Sequence, residues 1–476
     1  MGTGIRNWTR AVWVAALVMA PVACGFSNAA TDLSAPDVPV VADLPSVTDV
    51  ADTGTDPGPA PDGRIGGVGE LSTDATQRPY TTHVTWQGDT ASAATIQWQT
   101  QANAADTYKP RILFAREDEI VRNGDEIRLP FDAAHVAEGA GFTYETFDDS
   151  GAVVDIVQWG VDLSGLVPST TYYYRAGTWG AYDEASGTLT SPDLSPVLSF
   201  RTGRAKGERL PFTFISAGDS RADDGKIAAN ANRLAAIPAD FWLFSGDMTE
   251  VGTQAEWWYW FDAMRPILVG KVLMPVQGNH ETFADLYYNQ FALPGEAGLP
   301  QAYKEHGWSF TTGNLHVVGL DSNTDDTVNS QAAWLDSDLA ATDADPDIDW
   351  TIVMFHHPVY SSAGAHGSTL RVQNVWLPIF EKHHVDLTLT GHDHDYERSK
   401  PVRGKQVVAA GQGIVHVVAG SFFAPPYSNG SDWWTELSVN GETGNYCEWK
   451  VDGKSMTVTV HSGDGTQILD TFTLTK

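Results

Sequence analysis

Apolar positions along the chain fall into short runs whose spacing changes once. Between Arg78 and Thr202 the runs His83–Trp86, Ala94–Trp98, Arg111–Phe114 and Thr170–Ala176 are rich in β-branched and aromatic residues, with Gly, Asp and Asn between them. Such runs predict strands, and Leu198–Thr202 closes the set. The stretch from Asn123 to Gly160 follows no single pattern and is expected to hold an inserted loop. After the polar segment Arg204–Glu208, apolar runs of strand length alternate with helical periodicity. Strands are predicted at Phe212–Ala217, Phe241–Ser245, Val272–Val276, Thr351–Phe355, Val385–Thr390 and Val415–Ala419. Helices are predicted at Lys226–Ile237, Gln254–Met264, Gln331–Ala341 and Leu370–His383. Alternation of this kind predicts a mostly parallel sheet covered by helices. From Cys447 onward the pattern returns to antiparallel strands, turning at Asp452-Gly453 and Gly463-Asp464-Gly465.

The first 77 residues carry neither pattern. Arg6 and Arg10 precede the apolar stretch Ala11–Ala20, which is too short to span a bilayer and runs into small residues. Residues 1–24 therefore read as an export signal, and Ala23-Cys24-Gly25 resembles the cleavage site of a bacterial lipoprotein, although Pro21 stands where that motif has Leu. The expected location is extracytoplasmic, either secreted or held at the bacterial cell envelope by a lipid on Cys24. Residues 25–77, poor in aromatics and rich in Ala, Asp, Pro and Thr, read as a flexible acidic tether. With Cys24 removed or lipidated, Cys447 remains alone, so no intrachain disulfide is expected and Cys447 reads as a small buried apolar residue.

The 476 residues suffice for two full cores, assigned to 78–203 and 204–476. The charge balance sharpens the functional picture. Lys and Arg number 29 against 60 Asp and Glu, a net charge of −31. Nucleic acid and anionic membrane surfaces are repelled by such a chain. A small anionic substrate would need a local cationic centre, and bound metal ions would supply one.

Candidate chemistry stands at the ends of the predicted strands. The first strand runs into Gly218-Asp219-Ser220-Arg221, the second into Gly246-Asp247-Met248-Thr249-Glu250, and the third into Gly278-Asn279-His280-Glu281. Two later strands run into His356-His357-Pro358-Val359-Tyr360 and Gly391-His392-Asp393-His394. Carboxyl ends of strands in open α/β folds face the ligand crevice, so these turns are expected to converge. The preceding glycines allow tight turns and close backbone approach. Asp219, Asp247, Asn279, His356, His392 and His394 are too many ligands for one tetrahedral ion, and suit a pair of ions about 4 Å apart. Oxygen and nitrogen donors without a thiolate favour Fe, Zn or Mn, as two divalent or trivalent ions.

The set GD, GD, GNHE, HHPxY and GHxHxYER resembles the calcineurin-type metallophosphoesterases, and among them the purple acid phosphatases. That resemblance covers roughly Arg78 to Gly420. It implies an α/β metallophosphoesterase sandwich of mixed sheets and helices, preceded by an all-β domain. The Leu166–Thr170 turn in that first domain is itself similar to one in fibronectin type III-like folds. Carried over motif by motif, Asp219 and His394 would hold one metal, Asn279, His356 and His392 the other, and Asp247 would bridge them. His280 would be the acid that protonates the leaving oxygen, and His366 would contact phosphate.

One position departs from the family. Where purple acid phosphatases have the Tyr that colours and holds iron(III), this chain has Glu250, either a replacement ligand or a lost one. His357 reads equally as a substrate contact or as packing, and Arg221 as a phosphoryl clamp or a surface ion pair. Glu397 and Arg398 are expected to orient the His392 and His394 turn, Glu281 to orient His280 or a ligand, and Asp393 to point away from the metals. The aromatic cluster Trp257–Trp260 and the loop from Phe422 to Trp434 are the expected pocket walls, although packing explains the former better. The implied reaction is hydrolysis of small phosphate monoesters. Hydrolysis of diesters or nucleotides on the same centre is the alternative, and a surface binding protein with a vestigial metal site is a third reading. Oligomeric state is not legible.

Overall fold

The computed structural model describes residues 79–476, apart from 102–108, 125, 148–151, 180–181, 184–187, 190–192, 222–223, 284–285, 297 and 441–442. The expected export segment and tether lie outside the described residues. The first part is all-β, as the strand-length runs predict. Tyr80–Thr85, Ala93–Gln101, Val153–Ser164 and Ala140–Phe147 form one antiparallel sheet in that order. A second sheet is built on Lys109–Arg116 and Thr171–Trp179. The stretch expected to be an inserted loop instead contains the long hairpin strands Ala140–Phe147 and Val153–Ser164. Their Gly and Asp content hides the pairing. Gly141 lets the strand lie against Trp159, where a Cβ would come within 2.2 Å of the indole.

The second part packs two mixed sheets against each other. Its elements are β1 (Phe212–Ala217), α1 (Asp224–Ala235), β2 (Phe241–Phe244), α2 (Gln254–Leu268), β3 (Val272–Pro275), β4 (Gly307–Thr312), β5 (Leu315–Leu320) and α3 (Asp325–Asp343). They continue with β6 (Trp350–Met354), α4 (Leu370–Val375), α5 (Leu377–Lys382), β7 (Leu387–Thr390), β8 (Tyr396–Ser399), β9 (Val415–Ala419), β10 (Thr435–Val439), β11 (Asn445–Asp452), β12 (Ser455–Ser462) and β13 (Ile468–Thr475). The first sheet has the order β3-β2-β1-β11-β12-β13, the second β4-β5-β6-β7-β9-β8-β10. The parallel strands read from the pattern are divided between two mixed sheets, as the sandwich implied by the resemblance has it: β1 to β3 are parallel in one sheet, and β5, β6, β7 and β9 in the other. Both groups are apolar at nearly every position because both faces are covered. The predicted helix Leu370–His383 is two helices, with Pro378 in the first turn of the second.

The two parts share one hydrophobic core. Trp86, Trp98, Phe200, Phe214, Phe241, Trp257 and Trp449 belong to the same buried cluster. Trp86 meets Phe241 and Phe310 with ring centroids 5.4 and 5.1 Å apart. Helix α2 begins with Thr253 and Glu256 in a capping box and presents buried Trp257, Trp260 and Phe261 to this core. Those aromatics hold the scaffold together, and Trp258 donates its indole N–H to Gln99 of the first part at 3.0 Å.

Candidate active site

Every predicted ligand sits at the carboxyl end of a strand, and the two sheets bring those ends together. Asp219 follows β1, Asp247 follows β2, Asn279 follows β3, His356 follows β6, and His392 and His394 follow β7. Their turns are strained: Asp219, Asp247 and His392 adopt φ of 62°, 54° and 71°, a region costly for residues with a side chain. The turns are also close. A Cβ on Gly278 would lie 2.1 Å from Asp247 Oδ1, and one on Gly391 would lie 2.1 Å from Asp219 Oδ2.

His356 is the hub. Its Nδ1 lies 2.8 Å from the Ser245 carbonyl, to which it donates, so Nε2 faces the centre. That Nε2 is 3.0 Å from Asn279 Oδ1, 3.2 Å from His392 Nδ1 and 3.3 Å from Asp247 Oδ2. Ligands at about 2.1 Å from a tetrahedral ion stand at comparable mutual distances, so these four donors fit a cation. Beside them, His394 Nε2 and Asp219 Oδ1 are 3.5 Å apart. His394 donates from Nδ1 to the Pro425 carbonyl at 2.8 Å, which fixes that ring in the same way. Burial disfavours the imidazolium of His356, but Asp247 and Asp219 outweigh it and raise its pKa to about 9. Burial likewise pushes Asp247 up, yet the facing His356 brings its carboxyl down to about 2.

Of the two tasks expected of Glu281, the structure shows the orienting of a ligand, Asp247. The buried Glu281 carboxylate accepts the backbone N–H groups of Asp247, Thr249 and Gly278, each at 2.9 Å, and so ties the second and third turns together. Asp393 points away from the ligand cluster, accepting the N–H groups of His366 and Gly367 at 3.1 and 3.0 Å. The His366 ring then lies 4.1 Å from that of His392, at the exposed rim. His357 is buried, 2.9 Å from Ser322 Oγ through Nδ1, and its ring lies 4.3 Å from His392. Burial drives its pKa well below the usual value, so it stays neutral.

Glu250 turns outward. Its half-exposed carboxylate accepts from Arg221 at 3.1 Å, and no described contact joins it to Asp219 or His394. The expectation that it ligates a metal is therefore not what the side chain does in this conformation. Arg221 also approaches His280 Nε2 at 2.5 Å, while His280 Nδ1 donates to the Glu250 carbonyl. His280 Nε2 is 3.8 Å from Asp247 Oδ2, beside the centre.

One group went unseen in the sequence. Tyr427 stacks on His394 with centroids 4.1 Å apart and planes 7° apart, and its hydroxyl is 3.5 Å from Arg221. Its position 33 residues beyond His394 left no spacing signal, although it lies in the loop expected to form a pocket wall. Glu397 does not orient the histidine turn. It accepts from Ser362 N and Oγ at 2.6 and 2.9 Å, Trp434 Nε1 at 3.0 Å and Thr435 Oγ1 at 2.7 Å. Arg398 pairs with Asp470 of β13 at 2.7 Å. Trp257 and Trp260 are buried in the core, as the favoured packing reading has it, and Trp260 donates to Ser220 Oγ behind the first turn.

Comparison with known proteins agrees with this geometry. Residues 214–396 match the calcineurin-like phosphoesterase family, and residues 79–202 match the purple acid phosphatase N-terminal domain. The two matches identify a calcineurin-like phosphoesterase domain preceded by a purple acid phosphatase N-terminal domain, a purple acid phosphatase-like pairing that implies divalent or trivalent metal ions as cofactor. An uncharacterized protein of Mycobacterium tuberculosis is 29% identical over 302 residues, 54% of this chain and 56% of its own length. Purple acid phosphatase 22 of Arabidopsis thaliana is 28% identical over 327 residues, 65% of this chain and 68% of its own. The chain thus spans little more than half the length of the first curated relatives it matches. In fold, it superposes on purple acid phosphatase PPD1 from yellow lupin seeds with a TM-score of 0.68, at 16% identity over 84% of this chain and 74% of that one.

Proposed function

We propose that the chain is an exported phosphatase that hydrolyses small phosphate monoesters at a dinuclear metal centre. The observation that carries the reading is the convergence of Asp247, Asn279, His356 and His392 donors at 3.0–3.3 Å beside the Asp219 and His394 pair. Asn279, His356 and His392 would hold one ion and Asp219 and His394 the other, with Asp247 between them; Fe, Zn and Mn suit these donors. When bound, the pair of ions supplies an activated water near neutral pH and offsets charge building on the phosphoryl group. His280 delivers a proton from Nε2 to the leaving oxygen, its Nδ1 oriented by the Glu250 carbonyl. Arg221 is released from His280 and grips a phosphoryl oxygen, with Glu250 keeping its guanidinium over the cleft. His366 and His357 line the approach on the other side. The N-terminal Arg6, Arg10 and Ala11–Ala20 pattern supports export.

The decisive experiment compares p-nitrophenyl phosphate with bis(p-nitrophenyl) phosphate in protein loaded with Fe, Zn or Mn. Asp247→Ala serves as the control. Metal-dependent monoester turnover that is lost in the variant supports the reading. Faster diester turnover would put a phosphodiesterase in its place, and no metal-dependent turnover of either ester would leave only the binding-protein reading.

A further inference from the structure

A cavity of about 610 Å³ leads away from the ligand cluster. His392, His357 and His366 form one end, and Arg371, Asn374 and Asp325 line it further on. Arg371 is unusual here. Its Nε donates to the Ser322 carbonyl at 2.8 Å, which fixes the guanidinium, but its terminal nitrogens make no hydrogen bond among the described residues. Arg221, by contrast, is engaged by Glu250 and His280. A fixed guanidinium with spare donors recognises a carboxylate or phosphate group. In a chain of net charge −31 it offers local attraction that most of the surface denies to an anion. Asp325 and Asp321 temper the Arg371 charge. Asp321 is itself engaged with His306 and Asn323, which leaves Asp325 as the acid on the cavity wall.

We infer that this cavity is a second-anion subsite, so that the preferred substrates are phosphomonoesters whose organic part carries another anionic group, gripped by Arg371. The inference rests on the phosphatase reading for its first anion. Asn374, exposed on the same wall, offers an amide to a neighbouring hydroxyl or to that second anion.

The test uses the full metal-loaded chain and two three-carbon esters, 3-phosphoglycerate and glycerol 3-phosphate. They differ in carrying a carboxylate or a hydroxymethyl group. The wild-type protein is expected to favour 3-phosphoglycerate in kcat/KM by about tenfold, the scale of one hydrogen bond between charged groups. Arg371→Gln should bring the ratio to about one, and Arg371→Lys, which keeps the charge but not the fork, should retain part of it. A wild-type ratio near one, or a ratio unmoved in Arg371→Gln, overturns the inference. If neither ester turns over, calorimetric binding of 3-phosphoglycerate decides. Binding about tenfold weaker in Arg371→Gln upholds the subsite while the phosphatase reading falls, and equal binding overturns the subsite.

Discussion

At the scale of single residues, the centre depends as much on what is missing from side chains as on the ligands. Gly278 leaves room for Asp247, and a methyl group there would sit 2.1 Å from the carboxylate oxygen. The overlap is with a ligand held by backbone bonds, so it cannot be relieved by a flexible side-chain tip. Gly278→Ala is expected to displace Asp247, reducing metal content measured by atomic absorption at least tenfold and phosphatase turnover with it. Full metal content in the variant would show that the turn relaxes elsewhere. Residue 250 gives a second expectation. Glu250 faces Arg221, so iron-loaded protein should lack the visible band of an iron-tyrosinate. Should a band appear, Tyr427, stacked on His394, is the phenol in place to supply it, and Tyr427→Phe would abolish it.

At the scale of elements, two buried carboxylates link turns that are far apart in sequence. Glu397, at the start of β8, receives four hydrogen bonds from the segments at 362 and 434–435. Asp393 receives two from the segment carrying His366. Removing the Glu397 carboxylate leaves the buried Trp434 indole unpaired, at a cost of about 1–3 kcal/mol, and takes the acceptor from the part-buried Ser362 and Thr435 donors. Glu397→Ala is expected to loosen both segments, giving faster amide exchange at 361–368 and 433–435 and a KM for p-nitrophenyl phosphate raised about tenfold. Unchanged exchange there would assign Glu397 to β8 packing alone. These ties also mark the limit of the sequence. The ligands were legible because strand-end turns of Gly followed by Asp, Asn or His repeat along the chain, and the parallel strands because of their unbroken apolar runs. The division into two sheets came from the family resemblance and not from the pattern, since an apolar run does not say which neighbour covers it. The backbone partners of Glu281 and Asp393 and the task of Glu397 were not legible, because a carboxylate that accepts distant donors leaves no periodic trace. The hairpin β4–β5 was missed for a related reason: its turn at Gly313 gives only a two-residue signal between runs that also read as core.

At the scale of the whole molecule, the all-β part is bonded into the scaffold that carries the site, and His83 lies where the two meet. Its ring stacks on Phe261 of α2 at 4.7 Å and meets Phe291 edge-on at 5.3 Å, while Nδ1 lies 2.6 Å from the Thr81 carbonyl, to which it donates. Burial lowers its pKa from 6.5 to about 4. The unfolded chain therefore takes up this proton first as pH falls. The contribution is fully present above about pH 6.5 and is lost progressively down to about pH 4, where the difference amounts to about 3 kcal/mol. Because Trp86, Trp98, Phe241 and Trp257 share one core, that loss should weaken the joined molecule rather than release one part. Urea unfolding followed by Trp fluorescence is expected to show one transition at pH 7.5, with a midpoint that falls towards pH 4.5. Other buried groups titrate too, so the comparison must be with His83→Leu, which removes the proton acceptor and keeps the apolar contact with Phe261. The variant should lose less stability than the wild type over the same pH interval, by about 2–3 kcal/mol. Identical pH dependence would show that His83 takes up its proton equally in the folded and unfolded states. Two separate transitions would show instead that the parts unfold independently, despite the aromatic core that joins them.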